Sequence, residues 1–262
     1  MLRRTMLVGG MSAVAFAARA QSTLGSAVSE LAPGGTLRAA INYGNAVLAQ
    51  RDGAGKLSGV SVDIAHELGR RLGVPVELVL FEAAGKVSAA ASRGAWDVAF
   101  LAVDPERAKE ISFSNPYVII EGAYLVRSVS PLQTVTSVDR EGTRVAVARG
   151  SAYDLFLSRA LQHASLERAT STPDAADLFL TQHLDVLAGV RQALEQTALA
   201  NPGLRLIPGR FMEIKQAMGV PAGRNAGASY VAAFVKDIKR SGFAAATLAK
   251  NGQTDAAVAP SE

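Results

Sequence analysis

No cysteine occurs anywhere in the 262 residues. A disulfide, a thiolate metal site, a cysteine nucleophile and a lipid anchor through an N-terminal cysteine are therefore all excluded, and the fold must rest on its packed core. Histidine is scarce as well: His66, His163 and His183 lie far apart and lack metal-ligand spacing, so no metal is expected. The chain has no G-x-S-x-G elbow, no phosphate loop and no glycine fingerprint for a dinucleotide. Adjacent glycines occur only at Gly9-Gly10 and Gly34-Gly35. No cofactor is expected.

What is present suits a well-filled interior. Apolar residues make up 49% of the chain and charged residues 19%, enough for one two-lobed unit or two modest domains and unlike a disordered chain. Residues 1–20 have a basic start at Arg3 and Arg4, an apolar run from Met6 to Ala17 that is too short to span a bilayer, and a small-residue end at Ala18-Arg19-Ala20. This reads as a cleavable export signal, with a weak twin-arginine flavour. Its removal takes three arginines with it, leaving 24 basic against 23 acidic residues and a formal charge of +1 instead of +4. The high isoelectric point belongs largely to the leader, and no basic surface for nucleic acid is implied.

Beyond the leader, strands and helices alternate, the pattern of an α/β sheet covered on both faces. Thr36 to Ile41 alternates as a strand, and Asn42-Tyr43-Gly44-Asn45 follows as a turn of residues that tolerate unusual dihedrals. Asp52-Gly53-Ala54-Gly55 reads as a hairpin turn leading into an extended Leu57 to Val62. Ile64, Leu68 and Leu72 form the apolar stripe of a helix that Gly73 ends and Pro75 keeps from resuming. A strand over Val76 to Phe81, a helix over Lys86 to Arg93 and a strand over Val98 to Val103 come next. Past a polar loop from Ser130 to Gly142, a strand over Thr143 to Ala148 meets Arg149-Gly150-Ser151 and a helix over Ala152 to Leu161. Helix starts leave N–H groups unpaired at a positive dipole end, so Gly150, Ser151 and Ala152 read as a seat for a carboxylate, alongside ordinary capping by Ser151. Thr172-Pro173 opens a helix with proline at its first position. A strand over Asp185 to Val190, a helix over Arg191 to Ala200, a strand over Leu204 to Ile207, an extended Glu213 to Val220 and two closing helices complete the reading.

The stretch from Phe100 to Tyr117 concentrates the chemistry. A strand runs into a turn where Pro105 fixes φ, and Arg107 falls just beyond the strand's carboxyl end, the position where open α/β sheets bind ligands. Pro116 then disfavours helix at Asn115, and Val118-Ile119-Ile120 starts an extended crossing.

The pattern D-V-x-F-x-x-x-x-P-E-R followed by F-S-x-P-Y resembles the extracellular solute-binding proteins of family 3, the polar amino acid receptors of ABC importers. So do Gly59-Val60-Ser61-Val62-Asp63-Ile64-Ala65, Gly94-Ala95-Trp96-Asp97-Val98 and Val145-Ala146-Val147-Ala148-Arg149-Gly150-Ser151, in that order across nearly the whole chain. The resemblance implies an α/β, two-lobed periplasmic binding protein type 2 fold with two hinge crossings and a central cleft. Residues 33–121 with 217–262 would build the first lobe and 122–216 the second. It further implies a monomeric periplasmic receptor that hands a carboxylate-bearing solute to an inner-membrane ABC importer permease. The ligand site expected by this carry-over comprises Arg107 as anchor, Asn42, Tyr43 and Asn45 from the first loop, Phe100, Ala102 and Tyr117, Gly150 to Ala152, and Val190 with Arg191.

Three departures from the family pattern bear on the ligand. Ser or Thr residues usually hold it where Phe100 and Ala102 stand here, an aromatic usually covers it where Asn45 stands, and an Asp usually meets its ammonium where Val190 stands. The nearby ionisable groups that stand out, Arg107, Arg191 and Lys86 at a helix start, are all positive, so an anion without a cation is expected: a keto or hydroxy acid, a dicarboxylate, or an aromatic acid packing on Phe100 and Tyr117. The competing reading is that Arg191 and Lys86 point to solvent and that backbone carbonyls or Glu121 serve an ammonium. The alternative is an exported enzyme on the same scaffold, resembling the cyclohexadienyl dehydratases, for which Glu121, Asp154 and Glu213 are the acid or base candidates. A sensing or scavenging role without a transporter is a further alternative.

Overall fold

The computed structural model describes residues 24–260. The export signal expected over residues 1–20 lies outside them. Helix α1 (residues 24–31) precedes β1 (Leu37–Asn42), and β2 (Gln50–Arg51) and β3 (Leu57–Ser58) make a small hairpin. Then come α2 (Val60–Leu72), β4 (Val76–Phe81), α3 (Ala84–Ala89), β5 (Val98–Ala102), β6 (Ile111–Phe113) and the long β7 (Val118–Arg127). The next segment holds β8 (Arg144–Ala148), α4 (Ala152–Ala160), β9 (Ser165–Ala169), α5 (Thr172–Thr181), β10 (Val186–Val190), α6 (Arg191–Ala200) and β11 (Leu204–Leu206). The chain returns through β12 (Met212–Pro221) to α7 (Asn225–Arg240), α8 (Phe243–Lys250) and β13 (Ala257–Val258).

One sheet runs through the whole molecule in the order β4-β1-β5-β12-β7-β10-β8-β9. Its centre is the antiparallel pair of long strands, β7 and β12, in register from Val118 opposite Gln216 to Gly122 opposite Met212. Past this pair, β12 continues along β5 (Ala217 opposite Leu101), while β7 continues along β10 (Tyr124 opposite Ala188). Each crossing strand thus changes partner part-way, and the sheet breaks into two lobes that share only these strands.

The cores explain the sequence pattern. Val98 to Ala102 is buried at every position, as a strand covered on both faces must be. Beneath it, Trp96 is fully enclosed and donates its Nε1–H to the Val87 carbonyl at 3.0 Å. Asp97, also fully enclosed, accepts from Arg38 at 2.9 Å and Arg224 at 2.7 Å. Burial pushes its carboxyl up, but the hydrogen bonds from Arg38 and Arg224 outweigh burial and leave it below its ordinary range.

Several local expectations are corrected. The extended run expected over Leu57 to Val62 stops at Ser58, because Gly59 takes a φ of 132° that turns the chain straight into α2. A Cβ at Gly59 would lie 2.6 Å from the Leu48 carbonyl oxygen, so glycine is required there. Val60 and Val62 are buried in the first turn of that helix rather than in a strand. The helix expected over Lys86 to Arg93 is α3, which begins at Ala84 and gives way to turns after Ala89. Strands β9 and β13 and helix α1 were not foreseen. In β9 the cause is visible: Ser-Leu-Glu-Arg-Ala is an edge strand with mostly exposed side chains, and its polarity hides it.

Candidate functional site

Between the lobes lies a cleft of about 540 Å³, lined from the first lobe by the loop after β1, the carboxyl end of β5 and Arg107, and from the second by the starts of α4 and α6. Gln216 of the β12 crossing and the loop before β13 complete it. The volume falls in the range of small-molecule sites.

Arg107 occupies the first turn after β5, where Asp104 Oδ1 accepts from the Glu106 N–H at 2.9 Å and fixes the turn. The side chain is only 4% exposed. Its Nη1 donates to the Ala102 carbonyl at 2.9 Å and its Nη2 to the Gly150 carbonyl, across the cleft, at 2.8 Å. Its Nε–H is buried with no acceptor among the described residues. Among the described residues no carboxylate lies within ion-pair distance, and burial pushes the guanidinium down to about 10, only partly opposed by Asp104, so the group stays cationic at neutral pH. A buried cation held by neutral carbonyls and carrying a free donor is a seat for an anion.

Of the residues named from the sequence, Asn42, Asn45, Phe100, Ala102, Ser151, Ala152 and Val190 also line the cleft. Asn42 and Asn45 spend side-chain oxygens on the loop itself, accepting from the Gly44 and Val47 N–H groups at 3.1 and 3.3 Å. Four expected residues do not line it. Tyr43 leaves the cleft and lies under Arg51, with the guanidinium 5.9 Å from its ring centre. Tyr117 is fully enclosed in the core, edge-on to Phe100 at 6.3 Å, so no ligand ring can pack on it. Burial pushes its phenol well up, with only slight relief from Ser61. Gly150 offers its carbonyl to Arg107 rather than an N–H to a ligand, because its N–H goes to Asp154 Oδ2 at 2.8 Å. Arg191 turns away to Glu121 at 2.6 Å and to the Gly209 carbonyl at 2.7 Å.

The expected carboxylate seat at the start of α4 is largely filled by the protein. The Ser151 N–H bonds the Ala148 carbonyl at 3.1 Å, and Ser151 Oγ caps the helix by accepting from the Asp154 N–H at 3.0 Å. Of the three N–H groups, only that of Ala152 has no acceptor among the described residues. Lys86 also leaves the cleft, pairing with Glu82 one turn back. The three candidate acids are engaged elsewhere: Glu121 by Arg191 and Arg210, Glu213 by Arg210, and Asp154 by Arg168 at 2.8 Å. Hydrogen bonds from Arg210 and Arg191 hold the Glu121 carboxyl below its usual range.

The expectation that every ionisable group near the ligand is positive is overturned. Arg149, Glu195 and Asp255 line the cleft with Arg107, and Gln192 and Gln196 stand beside Glu195. These were missed, although 192, 195 and 196 fall at the spacing of one helix face, and the helix itself was legible. Across the cleft the lobes touch. Arg159 of α4 pairs with Asp104 at 2.7 Å, and Thr172 Oγ1 donates to the Gly44 carbonyl at 3.2 Å. The lobes are closed on the cleft.

A family model describing the bacterial extracellular solute-binding proteins, family 3, matches residues 37–254. The chain belongs to that family. No curated protein matches this family member closely enough to count. Among solved structures, the solute receptor for L-cysteine of Neisseria gonorrhoeae is 22% identical with a TM-score of 0.75, over 86% of this chain and 92% of that one. A mutant of the arginine-binding protein ArgBP of T. maritima is 22% identical with a TM-score of 0.74, over 86% and 98%. An ancestral amino acid-binding protein, described as a precursor of cyclohexadienyl dehydratase, is 20% identical with a TM-score of 0.72, over 85% and 98%. At these identities the likeness establishes the type 2 periplasmic binding protein fold. No described helix of this family 3 protein is long and apolar enough to cross a membrane.

Proposed function

We propose that this solute-binding protein works in the periplasm, after loss of its export signal, as a monomeric receptor that closes on a small carboxylate-bearing solute and delivers it to an ABC importer permease. One observation carries the reading: Arg107 is buried at the cleft and, among the described residues, has no carboxylate partner and keeps an unused Nε–H. An arriving carboxylate would supply both the missing charge and the missing acceptor. The lobes would be residues 33–121 with 217–262, and residues 122–216, rotating about β7 and β12. Closure requires that the ligand bind the closed form better, and a cleft lined from both lobes supplies that difference.

The ligand is not an ordinary α-amino acid. Val190 stands at the cleft wall where the family pattern has an aspartate, and an ammonium buried there without a carboxylate costs several kcal/mol. The three acids expected to serve an enzymatic role, Glu121, Asp154 and Glu213, are all paired away from the cleft. The test is mass spectrometry of small molecules released on denaturing the purified protein. A stoichiometric carboxylate lacking an α-amino group is expected; a standard α-amino acid, or a neutral sugar, contradicts the reading.

A further inference from the structure

Helix α6 begins at the cleft, and its first two turns divide sharply in their treatment of polar side chains. Arg191 points away, to Glu121 and the Gly209 carbonyl. Gln192, Glu195 and Gln196, at steps of three and four residues, share the opposite face and line the cavity. None of the three side chains has a hydrogen bond or ion pair among the described residues. Gln192 Oε1 is buried as well, so an acceptor has been withdrawn from water without replacement. A buried acceptor left unmade costs about 1–3 kcal/mol, and native structures rarely leave one without a use. Asp104, Glu121, Asp154 and Glu213, by contrast, are each paired inside the protein.

The cleft therefore has two poles. At one, Arg107 offers a buried cation and a free donor. At the other, Gln192 and Gln196 offer amide oxygens and Glu195 a negative charge, with Asp255 on the loop before β13 adding a second carboxylate to the lining. Arg149 is the other cation of the lining; it is exposed and makes no ion pair among the described residues.

We propose that the α6 face takes a hydrogen-bond-donating cationic group of the ligand, an amine or guanidine, carried on the far end of a chain whose other end is the carboxylate on Arg107. This rests on the carboxylate reading above and narrows it. Val190 leaves the carbon next to the carboxylate without an ammonium partner, while Gln192 and Glu195 provide one further along. The class of ligand is an ω-amino or ω-guanidino acid.

The test is calorimetric titration of ligand-stripped protein with 4-aminobutanoate, 5-aminopentanoate, 6-aminohexanoate and 4-guanidinobutanoate, against pentanoate, glutarate and 2-aminopentanoate. At least one ω-substituted acid should bind about 10-fold or more tightly than pentanoate and 2-aminopentanoate. Glu195→Gln and Gln192→Leu, which break no hydrogen bond or ion pair among the described residues, should erase that preference, bringing the ω-substituted acids to within about 2-fold of pentanoate measured in the same variant. Tighter binding of glutarate or pentanoate, parity of 2-aminopentanoate, or a preference that survives both substitutions overturns the second pole. If glutarate or pentanoate binds and Arg107→Met abolishes it, the carboxylate reading stands without this one. Silence toward every carboxylate overturns both.

Discussion

The backbones of Gly85 and Gly150 meet across the cleft: a Cβ on Gly150 would lie 2.8 Å from the Gly85 Cα, and one on Gly85 would lie 3.1 Å from the Gly150 Cα and 2.8 Å from the Arg149 carbonyl oxygen. Gly85 starts α3 in the first lobe and Gly150 precedes α4 in the second. The Gly150 carbonyl is also the one that Arg107 grips. Closure therefore brings two helix starts together with no room for a methyl group between them.

Gly85→Ala should hold the lobes apart. Gly85 is the cleaner of the two sites, since Gly150 has a φ of +68° and any substitution there adds backbone strain. Small-angle scattering should show a larger radius of gyration for the variant with ligand present, and affinity should fall by about 10-fold as the competent state is depopulated. An unchanged radius and affinity would mean that the helix starts part freely in the working form.

Val190→Asp should bring back α-amino acid binding. The half-buried Val190 caps α6 at the cleft wall, where a carboxylate could meet an ammonium and also favour the positive end of the helix. Standard α-amino acids should gain about 10-fold or more in affinity, while plain organic acids weaken by charge repulsion. If the substitution leaves the amino acid panel silent, the wall at 190 does not face the ligand's α-carbon.

Asp97 should govern part of the acid stability. Its folded pKa lies below its ordinary value, so its pairing with Arg38 and Arg224 stabilises the fold above the ordinary carboxylate range and fades as pH falls below it. Because both arginines are partly exposed, Asp97→Ala should cost about 2 kcal/mol, roughly 6 °C in Tm at neutral pH, and less at pH 3. Thermal melts across pH would show the two curves converging in acid; parallel curves would mean that the loss is one of packing alone.

How far the sequence is legible depends on what each residue answers to. Strands such as Val98–Ala102 and helices such as Arg191–Ala200 answer to periodicity and punctuation, and their limits read closely. Pro105 and a preceding strand place Arg107 in the chain, but its reading as a ligand anchor comes from the resemblance to the family, because an arginine after a strand is by itself an ordinary surface residue. Tyr117 is not, because whether an aromatic beside a proline faces a cleft or a core is settled by the sheet that β7 joins. Gly150 misleads for a local reason: Asp154, one turn on, bends back and takes its N–H. Glu195 goes unseen because nothing in its neighbourhood marks it until α6 is set against the cleft.

The account turns on Arg107, and paired titrations of the wild type and Arg107→Met with the solute recovered from the protein test it directly. Methionine fills similar space without charge, and removing a buried cation that has no counter-ion should leave the Tm of the empty protein nearly unchanged. The account predicts micromolar binding by the wild type and a loss of about 100-fold in the variant, the worth of a charge-assisted pair of hydrogen bonds. Equal affinity in the two proteins would contradict it.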